Sequence, residues 1–260
     1  MIQIVGRISR KTILATDHLF NLMAFTYRLI RLALTRPPQG RALVKKVIFE
    51  QVYFTAIQAL PLIIPIALIA GSTLIAQFTK LSGQYDTGKL MVLLIVREQG
   101  PMVTALLVIL RSATSVTIEL GYMRVLHEIE ALEMAGLDPL RVVCVPRLIG
   151  ITSAILSLFI VFVLCAILGG YAIVWIFTYA PVGSFFNQLL KAITATDIIV
   201  GLVKALCFGV TITVISLYHG FQTHRSITDI PPATSRAAIE CFFYCILINI
   251  FISILFYSVL

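Results

Sequence analysis

Charged side chains are scarce in this sequence. They make up 12% of the 260 residues, whereas apolar residues make up 59% and the mean hydropathy is +1.00. Soluble globular domains carry about 25% charged residues and about 45–50% apolar ones. The composition therefore excludes a soluble enzyme or binding module. Because no long polar stretch is present to form a second domain, residues 1–260 are predicted to be a single membrane domain.

Motifs for metal binding, redox chemistry and nucleotide hydrolysis are also lacking. None of the five cysteines belongs to a recognisable ligand or redox motif, and no catalytic base stands beside a Ser or Cys. Gly83–Lys89 has the spacing of a phosphate-binding loop, but Leu90 follows where a Ser or Thr should hold magnesium. We therefore predict no catalytic residue, no metal site and no cofactor on this chain. The histidines, all in segments predicted to be cytoplasmic or interfacial, are His18, His127, His219 and His224.

Long apolar runs are what the sequence has in abundance. Five runs reach the ~20 residues that are needed to cross about 30 Å of hydrocarbon. The third has 32 residues without a charge, so it must tilt, kink or protrude. The sequence thus predicts an all-α integral membrane protein with five spans. The runs are Tyr53–Gln77, Pro101–Gly121, Leu148–Tyr179, Ile198–Tyr218 and Ile239–Leu260.

Basic residues are unevenly distributed between the two sides of the predicted bundle. Nine of the 20 Lys and Arg residues precede Val47, three lie in Tyr122–Arg147 and two in His219–Arg236. Only four lie in segments on the opposite side. The positive-inside rule then predicts a cytoplasmic N-terminus and, after five spans, a periplasmic C-terminus. We accordingly attribute the net charge of +8 to the excess of basic residues on the cytoplasmic side and to attraction to anionic headgroups, not to nucleic-acid binding.

The N-terminal segment, residues 1–46, predicts a helix at the membrane surface and no signal peptide. From Asp17 onward a narrow polar stripe recurs at spacings of four and three, and apolar residues cover the remaining surface. This pattern favours an interfacial amphipathic helix, and a helix packed on the bundle is the alternative. Pro37 and Pro38 are expected to end it. The stripe consists of Asp17, Asn21, Ala24, Arg28 and Arg31.

Charged residues inside the apolar runs point to buried partners. Arg111, Glu119 and Lys204 each cost roughly 3 kcal/mol at mid-bilayer, so each should face a partner or a cavity. A charged pair, Arg97-Glu98, also interrupts an apolar stretch just before Pro101. Either the backbone there is irregular and lines a cavity, or a simple loop precedes the span. We hypothesise that Glu98 pairs with Lys204 and that Arg97 meets a lipid phosphate.

A short acidic helix is predicted between the second and third runs. It begins near Glu128 and ends at Gly136-Leu137-Asp138-Pro139. Helices of this kind dock into grooves of partner proteins. A plain connecting helix is the alternative.

The motifs between residues 97 and 147 together resemble one family. They are Arg97–Pro101, Thr104–Leu107, Arg111, Glu119–Gly121, the acidic helix ending at Asp138-Pro139, and Val145–Arg147. This combination resembles the MlaE/YrbE permeases, the membrane subunits of ABC systems that carry an MCE-domain lipid-binding protein. The layout of an interfacial helix before five spans extends the resemblance over nearly the whole chain. Gln99 and the run Ala233–Arg236 depart from the family pattern.

The resemblance implies a homodimer in the bacterial inner membrane. Its implied partners are cytoplasmic ABC ATPase subunits that bind ATP and Mg, a ring of MCE-domain proteins on the outer side and a small STAS-domain protein. Phospholipid or a related lipid is the implied cargo. The alternatives are an ion-coupled secondary transporter, which normally shows internal repeats and more spans, and an intramembrane lipid-modifying enzyme.

The resemblance also implies two groups of site residues. A lipid pocket near the outer end of the first span and a path for headgroups would include Ala70, Leu74, Phe78, Leu81, Arg97, Glu98 and Lys204. A cytoplasmic coupling helix that engages the ATPase would include Glu128, Glu130, Glu133, Gly136 and Asp138.

Overall fold

The computed structural model describes residues 2–35, 41–81, 87–178, 191–223 and 226–259. In these ranges the secondary structure is entirely helical, and five helices are long and apolar enough to cross a membrane. The predicted all-α fold with five spans is therefore confirmed. The spans, numbered 1 to 5 below, are Val44–Gln77, Lys89–Val125, Leu140–Ile173, Ala195–Phe221 and Ile227–Phe256.

Helix α1 (Ile2–Leu34) precedes the spans and ends before Pro37, as predicted. Leu22 and Leu29 bury against the bundle, and the Phe25 ring packs edge-on to Tyr218. The predicted polar stripe is exposed, and so are several large apolar side chains of the same helix. The helix thus packs on the bundle and still offers an apolar surface suited to a membrane interface.

Span 1 begins earlier than the sequence predicted, because helix α2 (Arg41–Thr55) already belongs to it. The predicted boundary at residue 46 falls inside α2. A single 3₁₀ turn, Ile57–Ala59, then leads into α3 (Leu60–Leu81). Pro61, which has no backbone N–H to continue an α-helical ladder, follows this turn directly. Helix α3 packs against span 3.

Glycines bring spans 1 and 3 into close contact. A Cβ atom added at Gly71 would lie 2.0 Å from the carbonyl oxygen of Ala166, and one at Gly170 would lie 2.7 Å from the carbonyl carbon of Gly71. Small residues allow membrane helices to approach at this distance. This packing fixes the position of α3 on the bundle.

Span 2 is continuous where the sequence predicted an interruption. It comprises α4 (Thr87–Val92), a π-helical segment Leu93–Gln99, α5 (Gly100–Val108), a second π-helical segment Ile109–Ala113 and α6 (Thr114–Val125). The prediction of a simple loop before Pro101 is thus wrong. The alternative, an irregular backbone, agrees with the π-helical segment, and a cavity lined by it stays a prediction. The wider π-helical turn accommodates Pro101 without breaking the helix, and such turns occur frequently at functional sites.

Spans 3 to 5 complete the bundle. A π-helical turn, Leu140–Cys144, opens span 3 and continues into α8 (Val145–Leu164). A second π-helical turn, Cys165–Gly169, joins α8 to α9 (Gly170–Thr178). Span 4 is α10 (Ala195–Phe221). Span 5 consists of a 3₁₀ turn, Ile227–Asp229, and α11 (Ile230–Val259).

Span 4 is the central helix of the bundle. It packs against spans 2, 3 and 5 and against α1. Phe208 and Ile212 on this helix are fully buried, as are Ile155 and Leu158 on span 3. Polar side chains on span 4 therefore have protein neighbours on several sides, and two clusters of such side chains lie near its two ends.

Candidate functional site

The ammonium group of Lys204 is the centre of a buried polar network. Lys204 lies on span 4 with 0% of its surface exposed. Its Nζ donates to Glu98 Oε1 at 2.9 Å and to Ser253 Oγ at 2.7 Å. These contacts join span 4 to spans 2 and 5. The hypothesised pair of Glu98 with Lys204 is therefore observed.

Pro101 explains why Lys204 binds the backbone of span 2 as well. In an α-helix the N–H of residue 101 would donate to the carbonyl of Arg97, but proline has no N–H. Lys204 Nζ donates to that carbonyl instead, at 3.0 Å. The proline and the lysine thus act together, because one frees a carbonyl inside the membrane domain and the other satisfies it.

Glu98 accepts further hydrogen bonds from span 5. Asn249 Nδ2 donates to Oε2 at 3.0 Å, and Ser253 Oγ donates to Oε1 at 2.9 Å. Both carboxylate oxygens therefore have partners. Asn249 and Ser253 are four residues apart, which places them on one face of α11.

Arg97 binds a different acid from its neighbour. Its Nε donates to Asp197 Oδ1 at 2.5 Å, and only 7% of the Arg97 surface is exposed. Asp197 Oδ2 also accepts from the backbone N–H of Thr194, which completes a capping box at the start of span 4. Contact of Arg97 with a lipid phosphate stays a prediction, and such a phosphate would have to compete with Asp197.

Together these residues form what we call the lysine network. Two cations, Arg97 and Lys204, face two anions, Glu98 and Asp197, so the network is neutral as a whole. Buried charges are tolerated in this way only when they are paired and hydrogen-bonded. The members are Arg97, Glu98, Asp197, Lys204, Asn249 and Ser253.

The predicted lipid-pocket residues lie on α3. Ala70 and Leu74 are partly buried against the core of the bundle. Phe78 and Leu81 lie in the last turn of the same helix, and their side chains fall outside the described residues. A pocket at this position stays a prediction.

The predicted short acidic helix is present as α7 (Glu128–Met134), between spans 2 and 3, and its role in coupling stays a prediction. His127 precedes it in the left-handed region at φ 59°, and Gly136 follows it at φ 76°. Gly136 N–H donates to the Glu133 carbonyl at 2.9 Å, and Leu137 N–H donates to the Leu132 carbonyl at 3.0 Å. These two bonds form a Schellman motif, in which glycine adopts the left-handed conformation without strain.

Asp138 caps the helix that follows. Its Oδ1 accepts from the backbone N–H of Leu140 at 3.0 Å, and Pro139 occupies the first turn. Arg141 lies nearby, with Nε 3.8 Å from Asp138 Oδ2. The Gly-Leu-Asp-Pro sequence thus ends α7 and starts span 3 within four residues.

The acidic side chains of α7 differ in their surroundings. Glu128 and Glu133 are exposed, whereas Glu130 Oε1 lies 2.9 Å from Arg124 Nη1 and Glu130 Oε2 lies 3.5 Å from His127 Nδ1. A hydrogen bond from its own backbone N–H and the charge of Arg124 lower the pKa of the Glu130 carboxyl below its usual value of 4.5. The ion pair with Arg124 is therefore intact at pH values above 4.5, and it is lost only as the pH falls through the lowered pKa of Glu130.

Comparison with known proteins identifies the family. The family model described as "Permease MlaE" matches residues 48–255. The chain belongs to the MlaE permease family. The family is one of membrane subunits of ABC-type transporters, so this chain is a multi-pass permease of the inner membrane.

Individual relatives agree with the assignment to the MlaE family. The chain is 31% identical, over 74% of its length and 75% of the relative's, to the intermembrane phospholipid transport system permease protein MlaE of Haemophilus influenzae. It is 25% identical, over the full length of both chains, to a probable ABC transporter permease protein of Rickettsia felis. A chloroplastic protein of Arabidopsis thaliana, TRIGALACTOSYLDIACYLGLYCEROL 1, is 27% identical over 64% of this chain and 47% of its own.

Three further charged residues inside the spans of this MlaE-family chain also have partners. Arg147 Nη2 lies 2.7 Å from Glu119 Oε1, which joins spans 3 and 2. Arg111 Nη2 donates to Gln58 at 2.8 Å and its guanidinium lies over the Phe54 ring, 4.8 Å from the centroid. These contacts connect span 2 to spans 1 and 3.

A cavity of about 700 Å³ separates α7 from span 1 in the MlaE-family bundle. The Glu119–Arg147 pair lines it, together with Glu50, Glu128 and Leu132. The cavity leaves one side of α7 without a tight contact to the bundle.

Sequence reasoning missed three members of the lysine network, although each leaves a signal. Asp197 follows Thr194 by three residues, which is the spacing of a capping box at a helix start. Asn249 and Ser253 are polar residues four apart in an otherwise apolar run. Their assignment to Glu98 required the tertiary structure, because 151 residues separate Asn249 from Glu98.

Proposed function

We propose that this chain is the permease of an ATP-driven transporter of phospholipid or a closely related lipid. The observation that carries the proposal is the match to the MlaE family over residues 48–255. The Haemophilus relative, at 31% identity, is named for intermembrane phospholipid transport. The lysine network supports it, because its cations and anions offer partners for both charges of a zwitterionic headgroup.

Helix α7 is proposed to dock into a separate ATPase subunit. It protrudes between two spans, and Met134 at its end has 83% of its surface exposed. Glu128 and Glu133 are exposed beside it. An exposed apolar side chain flanked by acids is a suitable contact for a groove in a partner. ATP and Mg would then bind to that partner.

The orientation follows from the basic residues. Helix α7 and the N-terminal segment lie on the side with most of the Lys and Arg residues, which we propose to be cytoplasmic. The lysine network then lies in the outer half of the membrane. A reporter fused after span 5 should be active only outside the cytoplasm. Cytoplasmic activity of the reporter would reverse the proposed sides of α7 and the network.

The assembly that we propose is a homodimer of this permease with two ATPase subunits and an outer ring of MCE-domain proteins. A STAS-domain protein is a further proposed partner on the cytoplasmic side. The support for this assembly is the family membership together with exposed apolar side chains on span 1, such as Leu62 and Ile69, which a second copy could cover.

Purification of the native complex from membranes tests this proposal. We expect an ATPase subunit and a protein with an MCE domain to copurify with the tagged chain, and mass spectrometry should identify bound phospholipid. The lipid should be enriched over its share in the surrounding membrane. Purification of the chain without an ATPase, under conditions that preserve other membrane complexes, would contradict the proposal.

A further inference from the structure

Two histidines and a glutamate from three different helices meet at the α7 end of the bundle. We call His18 of α1, His219 of span 4 and Glu240 of span 5 the histidine cluster. His18 Nε2 lies 2.8 Å from Glu240 Oε1, and His219 Nε2 lies 2.5 Å from Glu240 Oε2. One potential ligand atom from each residue lies within 4.8 Å of the others. The cluster is thus compact enough for one ion to contact all three side chains.

The position of the cluster follows from packing at the same end as α7. Leu120, near the end of span 2, contacts Gly220, which is next to His219. Gly121 lies beside Ile230 at the start of span 5. Since α7 follows span 2 directly, the cluster and α7 share one end of the bundle.

Among the residues that the structure describes, no Lys or Arg forms an ion pair with Glu240. Within the described part of the chain, the ionic partners of Glu240 are His18 and His219. The side chains of His219 and Glu240 are 9% and 18% exposed. Neutral imidazoles donate hydrogen bonds but leave the negative charge uncompensated in a half-buried setting. A divalent cation would neutralise this charge and bind both imidazoles in their neutral form.

The ligand set identifies the class of cation. Imidazole nitrogen and carboxylate oxygen suit Zn²⁺ and its first-row neighbours, whereas Mg²⁺ and Ca²⁺ select oxygen ligands. Three protein ligands with one open position are typical of non-structural zinc sites. Zinc–nitrogen bonds are about 2.0–2.1 Å long, so neighbouring ligand atoms lie roughly 3.3 Å apart. The two short contacts in the cluster need to lengthen by less than about 1 Å.

We propose that His18, His219 and Glu240 form a binding site for a divalent transition-metal ion, with Zn²⁺ as the representative ion. The ion joins α1 to spans 4 and 5. The neighbouring ring of Tyr218, whose centroid lies 5.2 Å from that of His18, shields one side of the site. Metal binding thereby stabilises the docking of α1 on the bundle.

Zinc binding to the purified full-length chain in detergent tests the site. After treatment with a chelator and its removal, the wild-type chain should bind one equivalent of Zn²⁺ and show a raised Tm. Co²⁺ in place of Zn²⁺ should produce the visible absorption of a nitrogen- and oxygen-ligated ion. The changes His18→Ala and Glu240→Gln should weaken binding by more than the roughly 10–100-fold that changes outside the ligand shell cause.

Two comparisons keep the test decisive. His18 lies on peripheral α1, so His18→Ala should leave the bundle folded. The Tm difference from wild type in the presence of chelator measures the loss of the hydrogen bond to Glu240 separately from the loss of metal binding. His127→Ala removes an exposed histidine that is paired with Glu130 and should bind Zn²⁺ like the wild type. Equal Zn²⁺ affinity and equal Tm shifts in wild type and His18→Ala would overturn the proposal. Absence of Zn²⁺ binding by the wild-type chain at micromolar concentrations would also overturn it.

Discussion

The lysine network and the histidine cluster lie near opposite ends of span 4, and they balance charge in different ways. Lys204 and His219 are 15 residues apart on that helix, or about 22 Å at 1.5 Å per residue. In the lysine network an arginine and a lysine face two carboxylates. In the histidine cluster one carboxylate faces two imidazoles.

This difference separates a fixed region from an adjustable one. The lysine network needs nothing from solution, so it should hold spans 2, 4 and 5 together under all physiological conditions. The histidine cluster gains its balancing charge from the bound ion that we propose, and it joins the peripheral helix α1 to the end of the bundle that carries α7. Substitutions in the two regions should accordingly differ in the size of their effects on stability and transport.

The largest effect is expected in the lysine network. Glu98→Ala leaves the ammonium of Lys204 buried without its anion, and Lys204→Ala leaves the carboxylate without its cation. Removal of one partner of a buried pair costs about 3–5 kcal/mol. Each change should therefore lower thermal stability and impair lipid transport. The measurement is the Tm in detergent together with transport in reconstituted vesicles at equal protein levels.

The double change Glu98→Ala with Lys204→Ala sharpens this prediction. Because it removes both charges, its damage should be smaller than the sum of the two single losses. Asn249→Ala is a matched control that removes only one neutral donor to Glu98 and should cost about 1 kcal/mol. Strictly additive losses would show that Glu98 and Lys204 act independently.

A smaller effect on stability, but a clear effect on coupling, is expected at α7. Reversal of charge by Glu130→Lys with Glu133→Lys should weaken the complex with the ATPase and ATP-coupled transport. Membrane insertion should stay normal. Glu130 forms the ion pair with Arg124, whereas Glu133 is exposed. The single change Glu133→Lys therefore tests the contact with the partner while the ion pair stays intact.

Copurification of the ATPase with each α7 variant measures this effect. Asp17→Lys is a matched control for Glu133→Lys, because it makes the same charge change on the exposed stripe of α1. If the double reversal retains both the complex and the transport of the wild type, the ATPase docks at another surface.

The smallest effect is expected at the end of α7. Gly136 has φ 76°, and an added Cβ would meet no atom within 4 Å, so only backbone strain opposes a side chain there. Gly136→Ala should cost about 1 kcal/mol, and Gly136→Asn should cost less, because asparagine tolerates the left-handed region. Thermal unfolding measures both. Equal stability of the alanine and asparagine variants would contradict the role assigned to the Schellman motif.

The parts of the fold that depend on local pattern were predictable from the sequence. Five apolar runs correspond to the five spans, and Gly136 and Asp138 mark the end of α7 and the start of span 3 as their chemistry requires. The pairing of Glu98 with Lys204 was also predictable, because two isolated opposite charges in apolar helices need partners.

The parts that depend on tertiary packing were not predictable. The charged pair before Pro101 predicted an interruption of the helix. Instead, the helix continues through a π-helical segment, and Lys204 donates to the Arg97 carbonyl that Pro101 leaves without a backbone partner. Nothing local assigns Asp197 to Arg97, since 100 residues separate them. His18 lies on the buried side of α1, four residues before Leu22, and its partner Glu240 is 222 residues away.

ATP-dependent transfer of labelled phospholipid in vesicles tests the central claim most directly. The vesicles would contain the purified permease with its ATPase, and acceptor vesicles or an MCE-domain protein would receive the lipid. We predict transfer that requires ATP hydrolysis, is unaffected by collapse of ion gradients and is reduced by Glu98→Ala. Transfer that is driven by an ion gradient without ATP would contradict the assignment of this chain as the permease of an ATP-driven lipid transporter.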